Sequence, residues 1–359
     1  MSLPEVVIDL AKITKNVEAV KRIADPYQVE VIGVTKVFSG EPKIAAAMLA
    51  GGIRMLADSR LENLARLKQA FPETPLMLLR IPGLSQVDET VALADVSLNS
   101  NVEVLQAISR AALRHHKRHR VILMVDLGDL REGIWPKELP QFVAQILHLK
   151  GIILEGLGVN LACYGGVIPT TENLGHLVEI ALEVERKFDI SLPVISGGNS
   201  ASLPLMQSGK LPARINQLRI GEGIVLGRET VNRQLLPGAF ADAFVLRAEI
   251  LESYDKPTVP LGPIGQDAFG EIPKFIDEGW RKRGIIALGR QDVPTDGLIL
   301  RDERLKIFGA SSDHLLVDLT GAPELSVGSV VEFNLSYGGL LGAMTSQFVH
   351  KRYKVNQDS

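Results

Sequence analysis

The 359-residue chain predicts an α/β protein, an N-terminal (β/α)8, TIM-like barrel over residues 1–235 followed by a C-terminal β-rich domain over residues 236–359. Three observations predict it. The chain is too long for one ordinary core. Between about residues 5 and 230 eight short apolar runs alternate with segments of helical spacing. Past about residue 235 that spacing fades, and short runs are split by Gly, Pro and Asp turns.

The eight runs are 29–36, 53–57, 76–79, 96–98, 121–126, 152–159, 193–196 and 217–220. The segments between them place apolar residues on one helical face, as with Leu61, Leu64, Ala65 and Leu67, or Val104, Leu105, Ile108, Ala111 and Ala112. A doubly wound open sheet is the rival, but no G-x-G-x-x-G opens the first helix. In the β-rich domain the expected strands are 245–251, 284–288, 305–308, 315–319 and 330–334, and residues 356–359 read as a frayed end.

Composition removes several function classes. The net charge of −3 shows no basic excess, so nucleic acid is not an expected partner. No apolar stretch is long enough for a bilayer and the N-terminus has no signal-peptide pattern, so a soluble cytoplasmic protein without a membrane partner is expected. A single cysteine, Cys163, excludes an internal disulfide, a cysteine-rich metal site and a two-thiol mechanism. His115-His116-Lys117-Arg118-His119-Arg120 reads as a solvated basic turn rather than a metal ligand set, and no metal is expected.

Lys36 closes the first run, with the turn Ser39-Gly40-Glu41-Pro42 behind it. A lysine there emerges at the C-terminal mouth of a buried strand, where parallel barrels keep their chemistry. A desolvated amine also gives up its proton readily. Taken alone, a solvated surface lysine is the plainer reading. Two further segments change the weighing: Ser196-Gly197-Gly198-Asn199-Ser200-Ala201-Ser202 after the seventh run, and Arg219-Ile220-Gly221-Glu222-Gly223-Ile224 at the eighth. Loops after barrel strands seven and eight commonly bind phosphate. Pyridoxal 5'-phosphate needs a lysine for its aldehyde, a phosphate cradle and a partner for its ring nitrogen.

On these residues the chain resembles the alanine racemase superfamily of fold-type III pyridoxal-phosphate enzymes, and within it the branch that contains ornithine racemases. Gly33-Val34-Thr35-Lys36-Val37 matches the cofactor-lysine motif, and Val125 to Gly133 (Val-Asp-Leu-Gly-Asp-Leu-Arg-Glu-Gly) matches the strand-five segment with its arginine. Gly198-Asn199-Ser200 matches the phosphate-binding serine motif, and Arg219-Ile220-Gly221-Glu222-Gly223 the motif whose arginine faces the pyridine nitrogen. Gly309-Ala310-Ser311-Ser312-Asp313-His314 occupies the C-terminal segment that reaches into the partner subunit's site.

The resemblance implies an amino-acid racemase acting on a free amino acid, ornithine, lysine or another small one. It implies a homodimer in which each site is completed by the partner's C-terminal domain. Lys36 would carry the cofactor and act as acid/base on one face of the substrate Cα. Ser200, with the backbone N–H groups of Gly221 and Glu222, would hold the phosphate, Arg219 would bond the pyridine nitrogen, and Arg131 would lie near the 3'-oxygen. An arginine keeps that nitrogen unprotonated. The ring is then a weaker electron sink, which favours reprotonation over transamination.

The chain departs from the pattern at several positions. Arg290, in Ala287-Leu288-Gly289-Arg290-Gln291-Asp292, stands where alanine racemases have their second acid/base, a tyrosine. Arginine is a poor proton shuttle but suits a substrate carboxylate. Asn160 replaces a histidine stacked on the cofactor ring, Met124 a carbamylated lysine, and Gly40 a phosphate-binding tyrosine. Candidates for the second acid/base are Asp313, His314 and Cys163, while Asp313 or Asp292 could instead pair with a cationic substrate side chain. Two rivals stand beside the racemase. A fold-type III D-amino-acid lyase (aldolase or dehydratase) would need a metal near the cofactor, and no H-x-C pair occurs in the C-terminal domain. A non-catalytic cofactor carrier resembles the barrel alone.

Overall fold

The computed structural model describes residues 3–354, so the stretch 356–359 lies outside it. These residues form two compact units. One is Ala11–Ala241, and the other joins the chain up to Leu10 with Asp242 onwards. The first strand, β1 (Glu5–Ile8), therefore belongs to the second unit, not to the barrel as the sequence reading placed residues 1–10.

The first unit is a closed barrel of eight parallel strands: β2 (Glu30–Val34), β3 (Leu56–Asp58), β4 (Leu76–Leu78), β5 (Val96–Asn99), β6 (His119–Met124), β7 (Ile152–Gly158), β8 (Val194–Ser196) and β9 (Gln217–Ile220). Strand β9 closes on β2 with Ile32 opposite Arg219. Each strand overlaps one of the eight expected runs, with β3, β5 and β6 reaching one or two residues past theirs. Both faces of such strands are covered, which is why they read as unbroken apolar stretches. Ile32, Val34, Met55, Ala57, Met77, Leu98, Ile122 and Met124 pack together in one buried cluster, a filled interior rather than a pore.

Helices α1 (Leu10–Ala24), α2 (Pro42–Ala50), α3 (Leu61–Ala70), α4 (Val87–Leu93), α5 (Val102–Arg114), α6 (Leu139–Ile146), α7 (Thr171–Phe188), α8 (Leu203–Gln207) and α9 (Glu222–Val225) fall between or beside the strands. Their buried faces are those the spacing marked. Helix α5 buries Val104, Leu105, Ile108, Ala111 and Ala112, and its N-cap Asn101 accepts from the Val104 N–H. Helix α7 starts on a capping box made by Thr170 and Asn173. Because α1 begins at Leu10 and β1 leaves the barrel, barrel strand one is β2, and Lys36 follows it directly.

The second unit is an antiparallel sheet in the order β12-β15-β10-β11-β14-β13, built from β10 (Phe244–Pro257), β11 (Trp280–Ile286), β12 (Leu298–Leu300), β13 (Lys306–Ala310), β14 (Leu315–Asp318) and β15 (Val330–Leu335). Strand β1 pairs antiparallel with β10 and parallel with β16 (His350–Tyr353). Phe244, Leu246, Ala248 and Ile250 alternate inward along β10, the period of two that a half-buried strand requires. Helix α10 (Tyr337–Thr345) is capped by Ser336, whose side chain accepts from the Gly339 N–H. The five expected strands are present. β1, β12, β16 and α10 were not foreseen.

Candidate active site

Strand β2 ends at Val34, and the chain turns at once. Lys36 opens a single 3-10 turn to Phe38, followed by Ser39 at φ 55° and Gly40 at φ 62°. Two consecutive left-handed residues reverse the chain within five positions, and glycine meets that demand without a Cβ penalty. The Lys36 side chain reaches solvent, yet the protein crowding its amine disfavours the charged form. This desolvation holds its pKa below the ordinary lysine value, aided by Arg131 and opposed by Cys163, Asp58 and Glu132.

Asp58 ends β3, while the other three neighbours come from the loops after β6 and β7. Asp126 Oδ1 accepts from the Gly128 and Leu130 N–H groups at 2.8 and 3.2 Å, so it shapes the loop that carries Arg131. Arg131 Nη1 donates to Cys163 Sγ at 2.7 Å. The same guanidinium forks onto Glu132 through Nε and Nη2, and that pairing raises its pKa above the usual arginine value. The Cys163 loop is pinned by Asp129, a buried carboxylate that accepts from the N–H groups of Cys163, Tyr164 and Val167 at 3.3, 2.9 and 3.2 Å. Sequence reasoning missed Asp129 and Glu132. The only local signal was the acidic spacing Asp126, Asp129, Glu132 within one loop.

The loops after β8 and β9 meet at Ser200. Its side chain is 2% exposed, and its Oγ accepts from the Gly223 N–H at 3.1 Å, leaving the hydroxyl proton to donate elsewhere. Among the described residues, the N–H groups of Gly221 and Glu222 have no protein acceptor. The Glu222 carboxylate is itself buried, paired with Arg228 at 3.0 Å and with Arg233 at 2.5 Å. Asn199 donates to Asn160 Oδ1 at 3.1 Å and to the Leu161 carbonyl at 2.8 Å. The Asn160 Nδ2 is buried and unpartnered. Arg219, on β9, is 4% exposed. It donates to the Val159 carbonyl at 2.7 Å and to Ser196 Oγ. Burial pulls its pKa down to about 10, still well above neutrality, so the guanidinium stays charged.

Lys36, Arg131, Cys163, Asn160, Asn199, Ser200, Arg219, Gly221 and Glu222 thus belong to one barrel and follow the C-terminal ends of its strands or, for Arg219, sit on the last of them. A reactive amine, two orphaned backbone donors beside a serine hydroxyl, an orphaned amide and a buried cation suit an aldehyde-bearing, phosphorylated, nitrogen-ring cofactor.

Arg290, Asp313 and His314 lie in the second unit, where two turns are zipped together. The Arg290 N–H donates to the Ser311 carbonyl and the Gln291 N–H to the Ser312 carbonyl, both at 3.0 Å. The Arg290 guanidinium carbon stands 4.1 Å from the centroid of the Phe269 ring. Among the described residues no carboxylate forms an ion pair with it, so its donors remain available. His314 Nδ1 is 2.9 Å from Asp313 Oδ1, both side chains exposed. The imidazole contact holds Asp313 below the usual carboxylate range. Asp292, offered as a partner for a cationic substrate side chain, is 6% exposed and accepts from the Gly289 N–H and the Ser346 hydroxyl, clamping its turn. The structure corrects His119, which leaves the basic turn and is buried on β6 with Nε2 2.8 Å from Ser97 Oγ.

A family model described as the alanine racemase N-terminal domain matches residues 8–229. An ornithine racemase of Acetoanaerobium sticklandii is 41% identical over 350 residues, covering 97% of this chain and 99% of that protein. A lysine racemase of Thermotoga maritima is 39% identical over 354 residues, covering 99% of each. Among solved structures, an alanine racemase of Clostridium difficile 630 superposes with TM-score 0.74 at 18% identity, covering 99% of this chain and 97% of that one. The biosynthetic alanine racemase of Pseudomonas aeruginosa superposes with TM-score 0.74 at 21% identity, covering 99% and 100%. These structural likenesses bear on the fold alone.

Proposed function

The chain belongs to the alanine racemase family and is an amino-acid racemase, and from that premise we propose that it interconverts the L and D forms of ornithine or lysine, with pyridoxal 5'-phosphate held on Lys36. The observation that carries the cofactor assignment is the Lys36 amine, solvent-reachable and desolvated, in the same barrel as the open Ser200, Gly221 and Glu222 donors. Likeness over nearly the full chain to an ornithine and a lysine racemase supports the substrate class.

When bound, pyridoxal phosphate withdraws electrons from the substrate Cα and acidifies its hydrogen. Ser200 Oγ–H and the N–H groups of Gly221 and Glu222 would hold its phosphate. Arg219 would face its ring nitrogen and, charged at neutral pH, keep that nitrogen free of a proton. Arg131 would neutralise its 3'-oxygen, with Asn160 and Asn199 lining the pocket. The Lys36 amine removes or returns a proton at Cα from one face. The other face needs a second donor, and Cys163 is the candidate carried by the same unit, its thiol against Arg131. In a homodimer, a second copy would supply Arg290 for the substrate carboxylate and the Asp313–His314 pair for its cationic side chain or for the second proton transfer.

Incubating the cofactor-loaded protein with single L-amino acids in deuterated water tests this. Deuterium at Cα and a drift to equal L and D forms are expected for ornithine or lysine. Released aldehyde or ammonia would instead favour the lyase reaction. A loaded protein that exchanges no amino acid would leave a carrier.

A further inference from the structure

The strap that carries Lys36, residues 35–40, is anchored less by its own strand than by the next β/α unit. Its internal bonds are few, the Phe38 and Gly40 N–H groups donating to the Thr35 carbonyl at 3.2 Å and Ser39 N–H to the Lys36 carbonyl at 3.2 Å. From β3 and α3, by contrast, it is held at several points. The Thr35 N–H donates to the Ala57 carbonyl at 2.9 Å. Thr35 Oγ1 donates to Asp58 Oδ2 at 2.5 Å. Asp58 Oδ1 accepts from Asn63 Nδ2 and from the Arg60 N–H, each at 3.0 Å. A Cβ placed on Gly40 would stand 2.9 Å from Asn63 Cβ, so Asn63 packs flush against the strap. Arg66 Nη1 donates to the Ser39 carbonyl at 2.5 Å.

Asp58 is completely buried. Burying a carboxylate is costly unless hydrogen bonds replace its water, and one of its replacements is the hydroxyl of the residue next to Lys36. Burial pushes its carboxyl upward while the Thr35 and Asn63 hydrogen bonds oppose this. Asp58 also acts on the Lys36 charge directly, favouring it.

We propose that Asp58 is a positioning residue for the reaction: through the Thr35 hydroxyl it fixes the 35–40 strap, and with it the direction and desolvation of the Lys36 amine. This rests on Lys36 being the reactive amine of the proposed racemase. Asp58 touches neither substrate nor cofactor in this role. It sets the geometry of the group that does, and small misplacements of a reacting group cost large factors in rate.

Thr35→Val tests it while leaving every charge in place, with Thr35→Ser as the rescue that restores the hydroxyl. Competitive acetylation of the full chain before cofactor is added reads the Lys36 amine among the Cys163, Arg131, Asp58 and Glu132 side chains around it. Thr35→Val should move the Lys36 labelling midpoint to higher pH by about half a unit or more as the loosened amine gains water. In the loaded enzyme it should lower kcat by at least about tenfold with KM changed less than about threefold. Thr35→Ser should return both towards the parent values. A folded Thr35→Val with unchanged midpoint and unchanged kcat would overturn the proposal. If Thr35→Val does not fold, Asp58→Asn carries the same kcat-against-KM comparison. Should borohydride tag no Lys36 peptide in the loaded parent, the racemase reading falls, while the labelling comparison still decides whether the strap governs this amine.

Discussion

Gly289 shows how one absent side chain places three candidate groups. A Cβ there would stand 2.2 Å from the Ser312 carbonyl oxygen and 2.3 Å from Asp313 Cα, and the backbone can approach only because there is none. The Gly289→Ala variant should push the 287–292 and 311–314 turns apart and cost about 1–3 kcal/mol of stability, read from urea unfolding. If Arg290 and Asp313 contact substrate, KM should rise more than kcat falls, while an unchanged KM in a destabilised variant would remove these turns from the site. At this scale the sequence disclosed Lys36, Ser200 and Arg219, because their type and their place at a strand mouth already carry chemistry. It did not disclose Asp58 or Asp129. The Thr35 partner of Asp58 is 23 residues away and the amide partners of Asp129 are 34 to 38 away, and a lone aspartate at a strand end or in a loop looks the same whether it faces water or clamps a turn.

Strand β6 carries a histidine at its first position, and the pairing of β5 with β6 decides what that residue does. Ser97 on β5 meets the His119 ring, and Asn99 Nδ2 also reaches Ser97 at 2.9 Å. Burial, helped by the nearby Lys117 charge, pulls the His119 pKa down to about 4 from its ordinary 6.5. The unfolded chain therefore binds a proton between those values that the folded chain refuses, so stability rises with pH across this window. The contribution is complete above about pH 6.5 and lost as pH falls towards 4, a swing of about 3 kcal/mol at 1.36 kcal/mol per unit. His119→Gln, which can still bond Ser97 but cannot titrate there, should flatten this part of the curve in urea melts at pH 7, 5.5 and 4.5. An equal slope in both proteins would show that other groups dominate. Barrel strands were legible as elements because burial on both faces leaves an unbroken apolar signature. β1, β12 and β16 were not, being three or four residues long, with β1 and β16 carrying charged residues inside.

The chain's two ends meet in one sheet, which sets how the whole molecule can be divided. Strand β1 lies between β10 and β16, and Glu5 within it is 3% exposed. Burial alone would raise the Glu5 pKa, but the hydrogen bonds and charges of Arg352 and Arg247 outweigh it and hold the carboxylate below its usual range. Arg247 reaches Oε1 at 2.7 Å and Arg352 reaches Oε2 at 2.9 Å, so one residue from the N-terminus bonds two strands more than 240 positions away. A fragment starting at residue 242 would lose the strand between β10 and β16, leaving Arg352 without the Glu5 carboxylate and Arg247 with Glu332 alone. That fragment should show no cooperative melt by circular dichroism. Joining residues 1–10 to its N-terminus through a flexible linker should restore one, and Glu5→Ala in the joined fragment should weaken it again. Because a depressed carboxylate stabilises above its unfolded pKa and loses that contribution as pH falls, the joined fragment should also lose stability below about pH 4.5 more steeply than its Glu5→Gln counterpart. A fragment from 242 that folds as well without the N-terminal strand would show that β1 is an accessory to the sheet and not part of its core.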